Sequence, residues 1–330
     1  MIYLGYFILF LLFYVVLFTK IGQKISDNKK FTLLIISLLI ISSVTLTFLG
    51  NNPSINYYCD SDDALTIWIN QLFSFQYPYE AVTQLGQQIT PFPSLPLYSI
   101  PFYLLGNVAY QNIVNLFIII FILWNFSENR RQLNFGLVSL LICVHFAVSF
   151  LNHTDHMTVA TFVALGLYLL YKSRFKLSSL IFGLLIASKG YIWFIIPTII
   201  CYIFKKENFQ NFKKSLLIII LVPLIIVLPF ILWNSNIFFH FAPVAAESSL
   251  FTAFKYLDII VTLAIASIAL FSYNRTKNLF FAVFIAYLIF EFILPLRSTF
   301  LLALSAILLG IYMDKLKIDT NKISDQNPSN

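Results

Sequence analysis

Residues 215–233 read SLLIIILVPLIIVLPFILW, a stretch with no charged side chain. A helix that crosses the hydrocarbon core of a bilayer needs about 20 such residues. Similar apolar stretches occur along the whole chain, at 2–19, 31–49, 108–126, 135–151, 157–171, 256–273, 278–294 and 298–313. The sequence therefore predicts an all-α integral membrane protein that crosses the bilayer many times.

The composition fits this class. Hydrophobic residues make up 59% of the 330 residues and charged residues only 11%, whereas about a quarter of a soluble chain is charged. The net charge of +7 would suit nucleic acid, but the basic residues form short clusters between apolar stretches, as in oriented membrane proteins. We therefore expect membrane lipids, and no nucleic acid, as partners. The three cysteines lack metal-ligand spacing, so neither a metal nor a cofactor is expected.

One apolar stretch, 178–204, is too long for a single comfortable crossing, and Ser188, Lys189 and Gly190 interrupt it near its middle. Basic clusters flank it at both ends. If both clusters lie in the cytoplasm, the stretch forms a tight helical hairpin. The predicted fold is a polytopic transmembrane helical bundle of about 11 spans.

The distribution of basic residues predicts the orientation of the bundle. The loops and the tail that we assign to the cytoplasm hold 18 of the 21 Lys and Arg residues. Only Lys189, Lys255 and Arg297 remain for the other face, so the N-terminus is predicted outside and the C-terminus in the cytoplasm. The short length and lean loops favour a bacterial cytoplasmic membrane. Eight acidic residues fall on or near the outer face: Asp60, Asp62, Asp63, Glu80, Asp155, Glu247, Asp258 and Glu291.

The chain is predicted to form a single transmembrane domain over 1–313, followed by a polar cytoplasmic tail over 314–330. Two outer loops are long, 50–107 and 234–255. Within the first, the stretch 96–106 is apolar but too short to span, so we expect a short helix lying in the membrane interface. Function usually resides in long loops on a compact scaffold.

The first outer loop opens with three carboxylates in four positions, Asp60, Asp62 and Asp63, before a predicted helix with the sequence ALTIWINQLF. Ile67, Trp68 and Leu72 are its expected apolar face. One aspartate is explained by capping of the helix start. Three close carboxylates repel one another, which favours a proton on one of them and suits a general base. Capping and solvation alone are the alternative.

A short outer loop holds His153, Asp155 and His156. Their spacing would allow metal ligation, although such spacing within a loop is weak support. A polar contact to phosphate or sugar is a second interpretation, and a solvated loop without a ligand is the third.

Lys189 and Arg297 are cations on the predicted outer face. A lone Lys at membrane depth is costly unless it snorkels or is paired, and the bias of basic residues toward the cytoplasm also opposes it. An anionic partner such as a phosphate would explain its position. Arg297 could serve the same ligand or pair structurally with Glu291.

Together these residues resemble the GT-C superfamily of integral membrane glycosyltransferases, in particular its polyprenyl-phosphate-mannose-dependent mannosyltransferase-like members. In that family acidic residues open the first long outer loop, followed by a helix, a G-x-PY-type segment and a Pro-rich segment. The chain has Asp62-Asp63, FQYPY over 75–79 and TPFPSLP over 90–96 in this order. ASKGY over 187–191 resembles the family's short-helix pair with an outer Lys. The glycine before Pro-Tyr is absent, and an extra predicted span precedes the acidic loop.

The resemblance, which covers about 31–235, implies a mechanism. A polyprenyl-phosphate sugar in the outer leaflet is the donor, and a glycan or glycolipid hydroxyl attacks its anomeric carbon with inversion. Asp63 is the first choice for the base, then Asp62 and Asp60. A cation would stabilise the leaving phosphate. The residues expected at the donor's phosphate or sugar are Lys189, Arg297, His153, Asp155, His156 and Tyr191. No nucleotide-sugar site is expected.

Two other classes of protein stay open. An O-antigen polymerase or ligase also has many spans and a large outer loop, but it is expected to use outer arginines, of which the chain offers one. A lipid-linked sugar transporter or flippase would carry charged or polar residues deep in several spans, and the predicted spans are largely free of them.

Overall fold

A computed structural model describes residues 27–52, 60–141, 144–241 and 257–276, with Ile25 and scattered positions between 278 and 289. These residues are mostly helical and include no β-strand, so the all-α prediction is confirmed for them. The predicted spans at 2–19 and 298–313, most of 278–294, and Arg297 lie outside the described residues.

The described residues form twelve α-helices: α1 Lys29–Gly50, α2 Ser61–Phe73, α3 Ser94–Leu104, α4 Tyr110–Phe126, α5 Arg130–Leu141, α6 Val144–Leu151, α7 His156–Tyr171, α8 Phe175–Ile186, α9 Ile196–Lys206, α10 Phe209–Trp233, α11 Ser235–Phe241 and α12 Leu257–Thr276. Two 3-10 helices, Pro78–Glu80 and Gly190–Ile195, lie between them. Asparagine caps begin the two longest helices, because Asn28 and Asn208 each accept a first-turn N–H with the side-chain oxygen.

Two helices, α1 and α10, are long and apolar enough to cross a membrane. Helices α4, α7 and α8 are apolar but shorter. These lengths and compositions support the membrane class, and the count of about 11 spans stays a prediction. The predicted span at 135–151 corresponds to parts of α5 and α6, with 142–143 outside the described residues.

The predicted break in the stretch 178–204 is present. Helix α8 ends at Ile186, and the chain resumes helical structure at Gly190. The Pro-rich segment of the first loop packs on this turn. The backbone N–H groups of Phe92 and Ser94 donate to the carbonyls of Ser188 (3.1 Å) and Ala187 (3.0 Å). The sequence motif around Lys189 and the Pro-rich motif are therefore one structural unit.

Helices α4, α7, α8 and α10 pack side by side in that order. Gly166 of α7 faces Phe182 of α8, and Gly183 of α8 faces Val222 of α10. A Cβ atom at either glycine would lie 2.8 Å from that neighbour. The Ser178 hydroxyl donates to the Gly166 carbonyl at 2.8 Å. Small residues of this kind allow close approach between apolar helices.

Only residues 172–174 join α7 to α8, so these two packed helices run antiparallel. Helix α7 has 16 residues and is about 24 Å long. The loop before α7 and the turn after α8 therefore lie at one end of the bundle, and residues 172–174 lie at the other.

Helix α2 has the predicted position and a shifted apolar face. Leu65, Trp68 and Ile69 are fully buried, whereas Ile67 and Leu72 are only partly buried. Positions three and four apart share one face of a helix, which groups Leu65 with Trp68 and Ile69. Trp68 packs on Phe230 of α10, with ring centroids 5.2 Å apart.

The segment after α2 is anchored by two tyrosines. The Tyr77 hydroxyl donates to the carbonyls of Phe230 and Asn234 (both 3.1 Å), and the Tyr79 hydroxyl donates to the carbonyl of Pro91 (2.9 Å). Burial, together with the nearby carboxylate of Glu80, raises the pKa of Tyr77 to about 12, so this phenol remains a donor. The first outer loop is thus fastened to the end of α10.

Candidate functional site

Three segments that are far apart in sequence meet at one end of the bundle. They are the start of α2, the loop before α7 and the turn after α8. His153 Nδ1 lies 2.9 Å from Asp62 Oδ2, and Lys189 Nζ lies 3.1 Å from Asp155 Oδ2. The structure therefore joins predicted site residues from three separate motifs.

His153 is held by two polar contacts in a buried position, with only 2% of the residue exposed. Its Nε2 lies 3.1 Å from the Thr47 carbonyl of α1. A carbonyl only accepts hydrogen bonds, so Nε2 carries a proton, and the contact from Nδ1 to Asp62 needs one further proton. The pair is then either imidazolium with carboxylate or imidazole with carboxylic acid. Its net charge is zero in both forms.

Gly50, the last residue of α1, makes this contact possible. A Cβ atom there would lie 2.2 Å from the Leu151 carbonyl oxygen and 2.6 Å from His153 Nε2. The backbone of Leu151 has little room to move, because it ends α6. The glycine therefore lets α1 approach the loop that carries His153.

Gly50→Ala is expected to destabilise the protein by about 1–3 kcal/mol, the usual cost of overpacking a filled site. The measurement is the thermal unfolding midpoint of the purified protein in detergent. Gly136→Ala is the matched control, since a Cβ there would lie 3.0 Å from the flexible end of Leu123. Equal midpoints for the two variants would contradict the close-approach role of Gly50.

Each of the three aspartates has its own partner. Asp60 Oδ2 accepts from the Thr83 hydroxyl at 2.5 Å. Asp62 uses one oxygen for His153 and the other for the N–H of Asp63 at 3.0 Å. Asp63 Oδ2 accepts from the N–H of Gln84 at 2.6 Å. Its other oxygen, Oδ1, accepts no hydrogen bond from the described residues. Of the three carboxylates, Asp63 keeps the freest oxygen.

Asp62 and Asp63 face a cavity of about 380 Å³ that opens beside the start of α2. Amide, hydroxyl, carboxylate and imidazole groups form most of its polar lining: Asn51, Asp62, Asp63, Thr66, Gln84, Tyr103, Asn107 and His153. Asp60 is absent from the lining. The cavity can therefore receive a ligand rich in hydroxyl groups, with Asp63 beside it.

A buried ion pair supports the loop behind this cavity. Asp155 is 2% exposed and Lys189 is 6% exposed, and His156 Nδ1 lies 3.7 Å from the same carboxylate. Burial alone would raise the pKa of Asp155. The positive charge of Lys189 and its hydrogen bond, together with His156, outweigh that effect, so the pKa lies below its usual range. Asp155 is thus a buried anion.

The metal interpretation of the 152–156 loop finds no geometric support in the described residues. His153 turns toward Asp62, whereas Asp155 turns toward Lys189. No group of three or more His, Cys, Asp or Glu side chains within the described ranges is placed to hold a metal ion.

Sequence reasoning missed the amide groups that hold the site. Asn112, in the first turn of α4, donates from Nδ2 to the carbonyls of Ser149 and Thr154 (both 3.1 Å), which brackets the His153 loop. Asn115, one turn later, donates to the Thr158 hydroxyl at 2.7 Å. Polar residues three apart within an apolar stretch were the available signal, since buried amides need partners.

Two predicted site residues cannot be placed, because the Tyr191 side chain and the whole of Arg297 lie outside the described structure. Comparison of the chain with protein families, curated proteins and solved structures finds no match. The functional argument therefore rests on the residues and their geometry.

Proposed function

We propose that this chain is an integral membrane glycosyltransferase. It transfers a sugar from a polyprenyl-phosphate-linked donor to a hydroxyl of a glycan or glycolipid, on the outer face of a bacterial cytoplasmic membrane. The observation that carries the proposal is the free carboxylate oxygen of Asp63 in a cavity of about 380 Å³ lined by amide and hydroxyl groups. Such groups can hydrogen-bond the hydroxyls of a sugar.

In the proposed reaction Asp63 is the general base. Its carboxylate takes the proton from the acceptor hydroxyl while the acceptor oxygen forms a bond to the anomeric carbon. The bond from that carbon to the phosphate oxygen breaks, and the electron pair leaves with polyprenyl phosphate. Attack on the face opposite the phosphate inverts the anomeric configuration.

The neighbours of Asp63 favour this assignment. The Asp62–His153 pair carries no net charge, and Asp62 uses both carboxylate oxygens in contacts. Asp60 does not line the cavity. Asp63 is therefore the carboxylate best placed to receive a proton from a ligand in this cavity.

Lys189 receives a supporting role in the proposal. Asp155 already neutralises its ammonium, so a donor phosphate would have to displace a buried carboxylate to reach it. The pair fixes the turn after α8 to the loop that carries His153. Arg297 stays the proposed cation for the leaving phosphate.

The arrangement of charges along α7 and α8 supports the proposed topology. The acidic site lies at one end of this antiparallel pair, and the basic residues Lys172, Arg174 and Lys176 lie at the other. With the basic end in the cytoplasm, the cavity faces outward. A bundle of about 11 spans places it beside donors in the outer leaflet.

A donor panel tests the proposal. Membranes containing the wild-type protein are supplied with polyprenyl-phosphate sugars or with nucleotide sugars, and new glycosidic products are measured by mass spectrometry. We expect transfer only from lipid-linked donors, with an inverted anomer. Movement of labelled sugar lipid across vesicles without any transfer product would support a transporter and contradict the proposal.

A further inference from the structure

We propose that a groove at the start of α8, at the opposite end of this helix from Lys189, binds a phosphate group. The groove has a volume of about 310 Å³. Its lining combines the first residues of α8 with Glu207, Asn211 and Ser215 from the α9–α10 region. The proposal concerns a separate surface and does not depend on the glycosyltransferase assignment.

The start of α8 offers backbone donors to an anion. The first-turn N–H groups of an α-helix have no acceptor within the helix, and no side chain caps α8. The aligned peptide dipoles add about half a positive charge at this end. Phosphate groups commonly bind at such helix ends. Ser173, Arg174, Phe175, Lys176 and Leu177, which surround this helix start, all line the groove.

Ser215 supplies an independent sign of a missing partner. It is 1% exposed, lines the groove, and its hydroxyl has no hydrogen-bond partner among the described residues. Buried polar groups in folded proteins almost always have a partner. A phosphate oxygen in the groove could accept from this hydroxyl.

Two cations in the lining complete the site. The side chains of Arg174 and Lys176 are exposed, and neither forms an ion pair with a described residue. Nearby cations are engaged elsewhere: Lys213 lies 4.5 Å from the ring centroid of Phe209, and Lys205 lies 4.8 Å from that of Tyr273.

Glu207, half-buried in the same lining, opposes an anion. One negative charge stands against two positive side chains and the positive end of α8. The balance therefore favours phosphate over a cation.

The position of the groove indicates a lipid headgroup as the source of the phosphate. Leu177 in the lining is 54% exposed, and Leu217, on the first turns of the membrane-capable helix α10, is 55% exposed. An anionic headgroup would sit in the groove while its acyl chains cover this apolar surface. Basic pockets on the cytoplasmic side of membrane helices bind lipids in this way.

The test measures retention of short-chain phosphatidylglycerol by the purified full-length protein in detergent, using native mass spectrometry. The variants are Arg174→Gln/Lys176→Gln and the matched double variant Lys213→Gln/Lys214→Gln, which removes the same charge from the same face. We expect the first to weaken binding about thirtyfold. The second should change it roughly threefold at most, because exposed charges are screened at physiological salt. Equal losses in both, or no loss in the first, would overturn the site.

Two further arms separate misfolding and ligand source. Ser215→Ala removes an unpaired buried hydroxyl, so its unfolding midpoint should match wild type while phosphatidylglycerol binding weakens severalfold. Unchanged binding in this variant would contradict the site. Inorganic phosphate is the second probe. Stabilisation by phosphatidylglycerol alone identifies a lipid headgroup, and equal stabilisation by inorganic phosphate identifies a soluble phosphate as the ligand.

Discussion

Asp63→Asn should lower the rate of sugar transfer by about 10²–10⁴-fold, the usual contribution of a positioned general base. The amide cannot take a proton from the acceptor hydroxyl. It can still accept the N–H of Gln84, which wild-type Asp63 binds at 2.6 Å, so the fold should survive the change. The measurement is product formation from the polyprenyl-phosphate donor found in the panel, at saturating acceptor.

The neighbouring aspartates are the matched controls. Asp60→Asn keeps an oxygen for the Thr83 hydroxyl and lies outside the cavity lining. We therefore expect activity within about threefold of wild type, which corresponds to less than 1 kcal/mol.

Asp62→Asn can donate from its amide to Nδ1 of a neutral His153, while Nε2–H still reaches the Thr47 carbonyl. Its activity should fall far less than that of Asp63→Asn. Equal losses in the Asp62 and Asp63 variants would remove the distinction between the two residues. Full activity of Asp63→Asn would exclude it as the base.

Several local features could be predicted from the sequence because they depend on neighbouring residues. The start of α2 followed from aspartates before an amphipathic stretch, and the break after α8 followed from Ser188-Lys189-Gly190 within an apolar stretch. Caps, turns and periodicity act within a few residues. The number of spans could not be settled in this way, since only α1 and α10 reach spanning length within the described part.

The contacts within the site could not be predicted, because they join distant parts of the chain. Asp62 and His153 are 91 residues apart, and their contact depends on Gly50 letting α1 approach the end of α6. The sequence indicated that Lys189 needs an anionic partner. It did not indicate that Asp155, on a neighbouring loop, is that partner. Helix packing decides such pairings, and no local pattern records it.

Lys189→Met is expected to destabilise the protein by about 3–5 kcal/mol, because it leaves the buried carboxylate of Asp155 without its main partner. The methionine side chain keeps most of the volume of lysine, so packing loss contributes little. The unfolding midpoint in detergent, read together with the denaturant dependence, gives the change. A loss below about 1 kcal/mol, as for an exposed pair, would show that this ion pair is solvated.

A double replacement separates the charge effect from the packing effect. Asp155→Leu/Lys189→Met removes both charges and leaves apolar groups of similar volume. It should be more stable than Lys189→Met alone, since buried ion pairs are often replaceable by apolar residues. A double variant less stable than both single variants would assign the loss to packing instead.

The acid limb of the stability profile gives a second readout of the same pair. The pKa of Asp155 is lower in the folded protein than in the unfolded chain, because Lys189 and His156 stabilise the carboxylate. The unfolded state therefore binds its proton first, at a pH of about 4. The stability that the pair contributes is present above that pH and is lost as the pH falls through the folded pKa. Asp155→Asn should lack this part of the acid loss, and an unchanged acid limb in this variant would show that the pair does not govern it.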